Sequence, residues 1–175
     1  MPTLINGDDK MKKKLDKSEH YQIIIDRFLQ RGVNLEDIAE ITYDLQKKYI
    51  PELTLELCLE HVNKVMMKRE VQHAALTGLE LDRLAEEKLL SEPLLSMLLS
   101  DYSLYGIDEI MALSIVNVYG SIGFTNFGYV DKMKYGIIKK LDEAGKKPNS
   151  CYTFIDDIVG AIAAAAASSL AHRFA

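Results

Sequence analysis

The sequence predicts an all-α protein, with a single compact multi-helix domain built around a buried, alanine-rich helix at the C-terminus. Apolar residues recur every three or four positions through most of residues 18 to 145, which is the spacing of one helix face. Up to residue 106, no run alternates apolar and polar residues as a half-buried strand does. Residues 153 to 172 are rich in alanine, which has the highest helix propensity, and no formal charge follows Asp157 before Arg173.

Composition narrows the class of protein. With 175 residues, of which 48% are hydrophobic and 27% charged, the chain suffices for one globular core. The formal net charge of -5 argues against nucleic acid as the main ligand. Cys58 and Cys151 lack a CxxC spacing, which predicts reduced thiols in a cytoplasmic protein. We find no secretory signal and no convincing transmembrane helix, so we expect a soluble protein.

The predicted domain covers residues 18 to 175 and follows a flexible, charged lead-in from Met1 to Lys17. Three amphipathic helices come first. The second of them has Asn34 as its N-cap and stops at Pro51, and the third begins after the cap residue Thr54.

A fourth helix is expected to be interrupted by a kink or loop at Thr77-Gly78. Further on, Ser91-Glu92-Pro93 is a typical opening for a short apolar helix over residues 94 to 99. A hydrophilic connector over residues 142 to 150 leads to the last helix. Residues 106 to 172 form the half of the domain expected to carry the functional site.

The last helix is predicted to start at Thr153 as its N-cap, with Asp156 in the capping-box position. Gly160, Ala164 and Ser168 lie four residues apart on this helix. Small residues at that spacing form a row along which another helix can approach closely. We therefore expect larger helices to surround this one.

Two acidic pairs stand at the heads of apolar helices: Asp156 with Asp157, and Asp108 with Glu109. Acidic residues in a first helical turn can simply offset the helix dipole. In a buried helix, however, paired carboxylates are costly without a cationic partner. If the two helices pack side by side, the four carboxyl groups with water would suit Mg²⁺. Zn²⁺ is less favoured because the histidines are scattered singly: His20, His61, His73 and His172.

A glycine-spaced stretch, residues 119 to 128, is predicted to be a loop. Such a loop can present backbone N–H groups to a phosphate, although it lacks the lysine of a P-loop and follows no strand. The alternative is a flexible connection whose glycines permit tight packing. The residues predicted to contact an anionic substrate are Gly120, Ser121, Gly123, Thr125, Asn126 and Lys132.

The motifs in these segments resemble a known family. Tyr-Gly-Ser-Ile-Gly at 119–123, followed by Ile-Asp-Asp-Ile-Val-Gly at 155–160, resembles the phosphatidylglycerophosphatase A family. The chain looks most like its soluble firmicute branch, the low-temperature-requirement C type. The segments that carry this closer resemblance are Arg-Glu-Val-Gln at 69–72, Tyr-Gly-Ile-Asp-Glu at 105–109 and Gly-Ser-Ile-Gly-Phe-Thr-Asn-Phe-Gly at 120–128.

The resemblance implies a phosphatase that removes the terminal phosphate of phosphatidylglycerophosphate with Mg²⁺, in phospholipid biosynthesis. By position, Asp156 and Asp157 match the acidic pair of the family. Gly120, Ser121 and Gly123 match its loop. A soluble member would meet its lipid by peripheral contact at the inner face of the cell membrane.

Together these observations give a mechanistic hypothesis. Asp156 and Asp157, with Asp108 and Glu109, hold Mg²⁺ against a phosphomonoester, and Asp131 serves as base or outer ligand. Attack by water is the default, with an aspartyl-phosphate intermediate as the alternative. The hypothesis requires Asp108 and Asp156 to lie in one cavity.

Two other functions are left open by the sequence. The chain could be a non-catalytic helical interaction module descended from such an enzyme. It could also be an all-α Mg²⁺-dependent nucleotide pyrophosphohydrolase, for which Glu36, Glu40 and Asp44 supply only part of the required acidic ladder. The row of small residues on the last helix could serve a contact within the chain or between subunits of a homo-oligomer.

Overall fold

The computed structural model describes residues 16–103 and 105–175. Most of the predicted lead-in, residues 1–15, lies outside the described part. Within that part the secondary structure consists of nine α-helices and one short 3₁₀-helix, with no strand, which confirms the all-α prediction. The helices are α1 (Lys17–Gln30), α2 (Leu35–Gln46), α3 (Leu55–Met66), α4 (Arg69–Glu86), α5 (Leu94–Leu99), α6 (Ile107–Val116), α7 (Ser121–Met133), α8 (Ile137–Gly145) and α9 (Ile155–Arg173), with the 3₁₀-helix at Asn117–Tyr119.

Helix α9 is the centre of the fold. Every residue from Ile155 to Ser168 is buried, and α2, α3, α6 and α7 pack around it. Its small side chains allow this close approach: a Cβ placed on Gly160 would lie 3.4 Å from Ile138 Cδ1 and 3.5 Å from Val130 Cγ1. The prediction of a buried, alanine-rich C-terminal helix is therefore confirmed.

The same helix is long and apolar enough to cross a membrane, and among the described helices it is the one that meets that test. However, 83% of its apolar window is buried inside the fold. Such burial is typical of the core helix of a soluble protein.

The predicted interruption at Thr77-Gly78 is wrong, because α4 continues through both residues to Glu86. The glycine is needed for packing: a Cβ on Gly78 would lie 2.5 Å from Ile158 Cδ1 and 3.0 Å from Phe154 Cβ. Gly78 thus lets α4 lie directly against the start of α9. A glycine in a helical pattern was misread as a break when it marks a close contact between two helices.

We expect Gly78→Val to destabilise the protein by about 1–3 kcal/mol, because its side chain must displace Ile158 or Phe154. Chemical denaturation measures this change. Gly128→Ala is the matched control, since a Cβ there meets nothing within 4 Å. Removing that helix-interior glycine should raise stability by about 0.5–1 kcal/mol. Equal stability of wild type and Gly78→Val would contradict the close packing.

The loop predicted for residues 119 to 128 is also wrong. A turn at Gly120, with φ +77°, is followed at once by α7. Gly123, Phe127 and Val130 are buried at helical spacing and form the inward face of that helix. A Cβ on Gly123 would lie 3.1 Å from the carbonyl oxygen of Val116. Gly123 thus serves tight packing, as the alternative interpretation held, but the segment is a helix and not a flexible connection.

Two smaller predictions also need correction. The connector expected from residue 142 starts later, because α8 continues to Gly145. Thr153 does not cap α9; its hydroxyl donates to the carbonyl oxygen of Leu98 at 2.8 Å. The cap comes instead from α4, where the carboxylate of Asp82 accepts hydrogen bonds from the backbone N–H groups of Phe154 and Ile155.

Candidate functional site

Three helices bring their acidic ends to one cavity of about 440 Å³. The N-terminal turn of α6 contributes Asp108 and Glu109, and the N-terminal turn of α9 contributes Asp156 and Asp157. Asp131, near the C-terminal end of α7, is a fifth acidic residue of the cavity. The full lining is Asp101, Tyr102, Ser103, Tyr105, Gly106, Asp108, Glu109, Asp131, Lys134, Thr153, Asp156 and Asp157. Asp108 and Asp156 therefore share a cavity, as the mechanistic hypothesis requires.

The two aspartates of α9 are buried, with exposed fractions of 8% for Asp156 and 6% for Asp157. Burial raises the pKa of Asp156 even though it faces a lysine. The pKa of Asp157 is raised by burial and by the negative charges of Asp156, Asp108 and Asp131. No hydrogen bond or ion pair reaches the Asp157 carboxyl group from the described residues. The cavity therefore favours a proton or a cation beside Asp157.

Burial also raises the pKa of Asp108, and the charges of Asp101 and Asp131 add to that shift. Among the residues that the structure describes, six carboxylates and one ammonium group, that of Lys134, line the cavity. Like charges packed this closely repel one another, so the excess of negative charge is costly to the folded protein. Such an arrangement is typical of a functional site.

The sequence favours a solvated-face role for Lys134, Lys139 and Lys140, of which one or two could meet an anionic substrate, and Lys132 is the lysine predicted as a site residue. The structure places Lys134 in the cavity. Its Nζ lies 3.4 Å from Asp156 Oδ2 and 3.2 Å from Asp142 Oδ1. Burial alone would lower the pKa of Lys134, but the carboxylates of Asp156 and Asp142 raise it. The ammonium group therefore stays charged.

The backbone of Lys134 is strained. Its φ of +41° and ψ of +69° place it in the left-handed region, where it ends α7. A residue with a Cβ occupies that region at a cost, and residues held this way cluster at functional sites. This turn directs the lysine back to Asp156. Sequence spacing gave no sign of it, because the C-terminal end of α7 was itself not predicted.

Lys132 is exposed and does not line the acidic cavity. Three other predicted substrate contacts, Ser121, Thr125 and Asn126, line a different cavity of about 450 Å³. That second cavity also contacts Ala171, which lies about 22 Å along the axis of α9 from Asp156. Gly120 and Gly123 belong to the same end of α7. The structure thus separates the glycine-spaced segment from the acidic residues.

The acidic side chains of the cavity offer oxygen ligands of the kind that Mg²⁺ prefers. Within the described residues, no three carboxylate, imidazole or thiol side chains already lie close enough together to enclose one ion. Mg²⁺ commonly takes only one or two carboxylates and completes its octahedron with water and substrate phosphate oxygens. Oxygen donors alone, with an excess of negative charge, fit that ion better than Zn²⁺, which takes nitrogen or sulfur ligands.

The chain matches relatives over most of its length. A family model described as "Phosphatidylglycerophosphatase A" matches residues 24–172. The Bacillus subtilis protein YutG is 62% identical to this chain, in an alignment that covers 84% of this chain and 87% of YutG. YpjQ of the same organism is 59% identical, covering 91% of this chain and 89% of YpjQ.

Solved structures show the same fold. The crystal structure of YpjQ from Bacillus subtilis aligns with a TM-score of 0.85 at 57% identity, covering 91% of this chain and 98% of that one. The low temperature requirement C protein from Listeria monocytogenes aligns with a TM-score of 0.86 at 53% identity, covering 91% and 99%. The family model agrees with the family that the sequence resembles, and the Listeria structure agrees with the low-temperature-requirement C branch. The chain therefore belongs to the phosphatidylglycerophosphatase A family.

Proposed function

We propose that this protein is a Mg²⁺-dependent phosphomonoester hydrolase that releases the terminal phosphate of phosphatidylglycerophosphate. The observation that carries the proposal is the acidic cavity, where Asp157 is buried among carboxylates and no cation from residues 16–103 or 105–175 is bonded to it. A site of this kind can hold a hard cation together with a phosphate group. Membership of the family supplies the substrate class.

Asp108 and Asp157 would bind Mg²⁺ directly, and Asp156, which pairs with Lys134, would bind it through water. Glu109 lies exposed at the rim. When bound, the ion would neutralise the charge of the phosphate oxygens and help orient the phosphomonoester. Lys134 would donate a hydrogen bond to one of those oxygens and stabilise the charge that builds up as the bond to the leaving alcohol breaks.

Asp131 is partly exposed at the edge of the cavity. We assign to its carboxylate the role of general base, which accepts the proton of the attacking water. The oxygen of that water then forms the new bond to phosphorus, and the alcohol oxygen of the lipid headgroup leaves. No part of this assignment uses the glycine-spaced segment.

A larger cavity of about 530 Å³ adjoins the acidic one and shares Asp101, Thr153 and Asp156 with it. Lys146 and Lys147 line its far side. It would have room for the glycerol and phosphodiester of the headgroup, with the acyl chains left at a membrane surface. Peripheral membrane contact, a cytoplasmic location and homo-oligomerisation stay predictions.

Phosphate release from a panel of substrates tests the function. The panel contains phosphatidylglycerophosphate in detergent micelles, glycerol 3-phosphate and a nucleoside triphosphate, each assayed with Mg²⁺ and with EDTA. We expect turnover of the lipid, abolished by EDTA. Release of pyrophosphate from the nucleoside triphosphate, with no phosphate released from the other two substrates, would indicate the pyrophosphohydrolase. No turnover of any substrate would indicate the non-catalytic module.

A further inference from the structure

The segment that leads into α9 is held by Arg31 at the end of α1, by Glu86 of α4 and by a backbone carbonyl group of α5. The backbone N–H of Cys151 donates to Glu86 Oε1 at 2.8 Å. Arg31 pairs with Glu86 and also donates to the carbonyl oxygen of Cys151, both at 2.8 Å. Two residues later, the hydroxyl of Thr153 donates to Leu98. Residues 151 to 153 are thus fixed by α1, α4 and the end of α5.

Arg31, Glu86 and the carbonyl group of Leu98 form a clamp on this segment, and Asp82 completes it. Asp82 is fully buried, with an exposed fraction of 0%. Its two oxygens accept from the N–H of Phe154 at 3.1 and 3.2 Å, and Oδ2 accepts from the N–H of Ile155 at 3.0 Å. The thiol of Cys151 lies 3.4 Å from Oδ1. Asp82 therefore satisfies backbone donors that the first turn of α9 leaves free, and its charge complements the helix dipole there.

Asp82 occupies a buried position in α4 at which a carboxylate is unusual. It lies on the inward stripe of α4 between Leu79 and Ala85, a position at which apolar residues are usual. Burial raises the pKa of Asp82 to about 7, while the hydrogen bonds from α9 and the charge of Arg31 oppose that shift. A carboxylate kept at such a site, against the cost of desolvation, has to be explained by what it holds.

We infer that Asp82 is a positioning residue for the acidic cavity: by fixing Phe154 and Ile155, it holds Asp156 and Asp157 in place against their mutual repulsion. The inference rests on the proposed function of that cavity. Asp156 and Asp157 directly follow the clamped residues, and Asp82 itself does not line the cavity. Its influence on the chemistry must therefore pass through the backbone of the first turn of α9.

Asp82→Asn tests this role, because an amide keeps one acceptor oxygen but not the charge or the second acceptor. We expect two changes: backbone amide exchange at Phe154 and Ile155 about 10-fold faster relative to the rest of the core, and Mg²⁺ affinity, measured by calorimetry without substrate, about 10-fold weaker. The kcat should fall in parallel. Val65→Ala is the control, since it removes buried volume from α3, a helix that does not contribute to the clamp.

Val65→Ala should lower the melting temperature without a selective change in those two amides or in Mg²⁺ affinity. If Asp82→Asn behaves as Val65→Ala does, the inference is overturned. If Asp82→Asn does not fold, Cys151→Ala is the second variant: it removes the thiol that contacts Asp82 and, at longer range, Leu98 and Thr153. It should show the same changes at smaller size, and their absence would overturn the inference equally. If the wild type neither binds Mg²⁺ nor releases phosphate, the proposed function fails. Amide exchange and the carboxyl ¹³C shifts of Asp156 and Asp157 still decide the role of Asp82.

Discussion

Asp157→Asn is expected to abolish most phosphatase activity and at the same time to stabilise the metal-free protein. The kcat/KM should fall by about 10²-fold or more, because one ligand of the proposed Mg²⁺ site is lost. Stability should rise by about 1–2 kcal/mol, because the charged form of this buried carboxyl group is opposed by burial and by three neighbouring carboxylates more strongly than Lys134 favours it. Phosphate-release kinetics and chemical denaturation in EDTA measure the two effects.

The gain in stability has a defined pH dependence. The pKa of Asp157 is raised in the folded protein, whereas it is about 3.9 in the unfolded chain. Its contribution to stability is thus fully present below about pH 4 and is lost as the pH rises through the folded-state pKa. The advantage of Asp157→Asn over wild type should therefore be absent at pH 4 and grow toward neutral and alkaline pH.

Glu56→Gln is the matched control, since Glu56 also lies in the first turn of a helix but is exposed. It should lose a few tenths of a kcal/mol of favourable dipole interaction and keep full activity. If Asp157→Asn also lost stability and retained activity, Asp157 would be an ordinary helix-terminal acid, and the site as described would be wrong.

Lys134→Gln is expected to cause the second large loss of phosphatase activity. We expect kcat/KM to fall by about 10²-fold, because the ammonium group is the cation of the protein that lies beside Asp156 in this cavity and would meet the phosphate oxygens. The loss should appear mainly in kcat, since the charge it stabilises develops in the transition state. Steady-state kinetics on phosphatidylglycerophosphate at saturating Mg²⁺ measure it.

Lys146→Gln separates this effect from the loss of an ion pair with Asp142. Lys134 and Lys146 both bond to Asp142, at 3.2 and 2.6 Å, but only Lys134 also reaches Asp156. Lys146 is largely exposed, so its pair contributes little to stability. A near wild-type kcat is expected for Lys146→Gln. Because Lys146 lines the cavity proposed for the headgroup, any loss in this variant should appear in KM. Equal loss in both variants would assign the effect to Asp142 and not to the cavity.

Much of the fold follows from local pattern. The apolar spacing, the cap at Thr54 and the proline before α5 each act within a few residues, and the structure agrees with all three. The errors concern glycine, whose meaning depends on distant residues. Gly78 lies against Ile158, and Gly123 lies against the backbone of Val116. No local window shows that a missing side chain makes room for another helix, so both segments were read as breaks or loops.

In the site too, features set by local sequence could be predicted, and features set by distant residues could not. The acidic pairs were visible because each is an exception in an apolar stretch, and close packing of α6 and α9 brings them together. The sequence could not distinguish Lys134 from Lys139 and Lys140, because its direction depends on a left-handed residue at the end of α7, most of which was predicted as a loop. Asp82 did leave a trace, as an aspartate on the inward stripe of α4, but its partners lie more than seventy residues away.

The most direct test of a single Mg²⁺-dependent centre is the Mg²⁺ dependence of phosphate release from phosphatidylglycerophosphate by wild type, Asp108→Asn and Asp157→Asn. The two aspartates come from different helices, α6 and α9. We predict saturable activation of wild type, with the half-saturating Mg²⁺ concentration raised about 10-fold or more in both variants. Wild-type turnover that persists in EDTA, or an unchanged Mg²⁺ curve in either variant, would contradict the account.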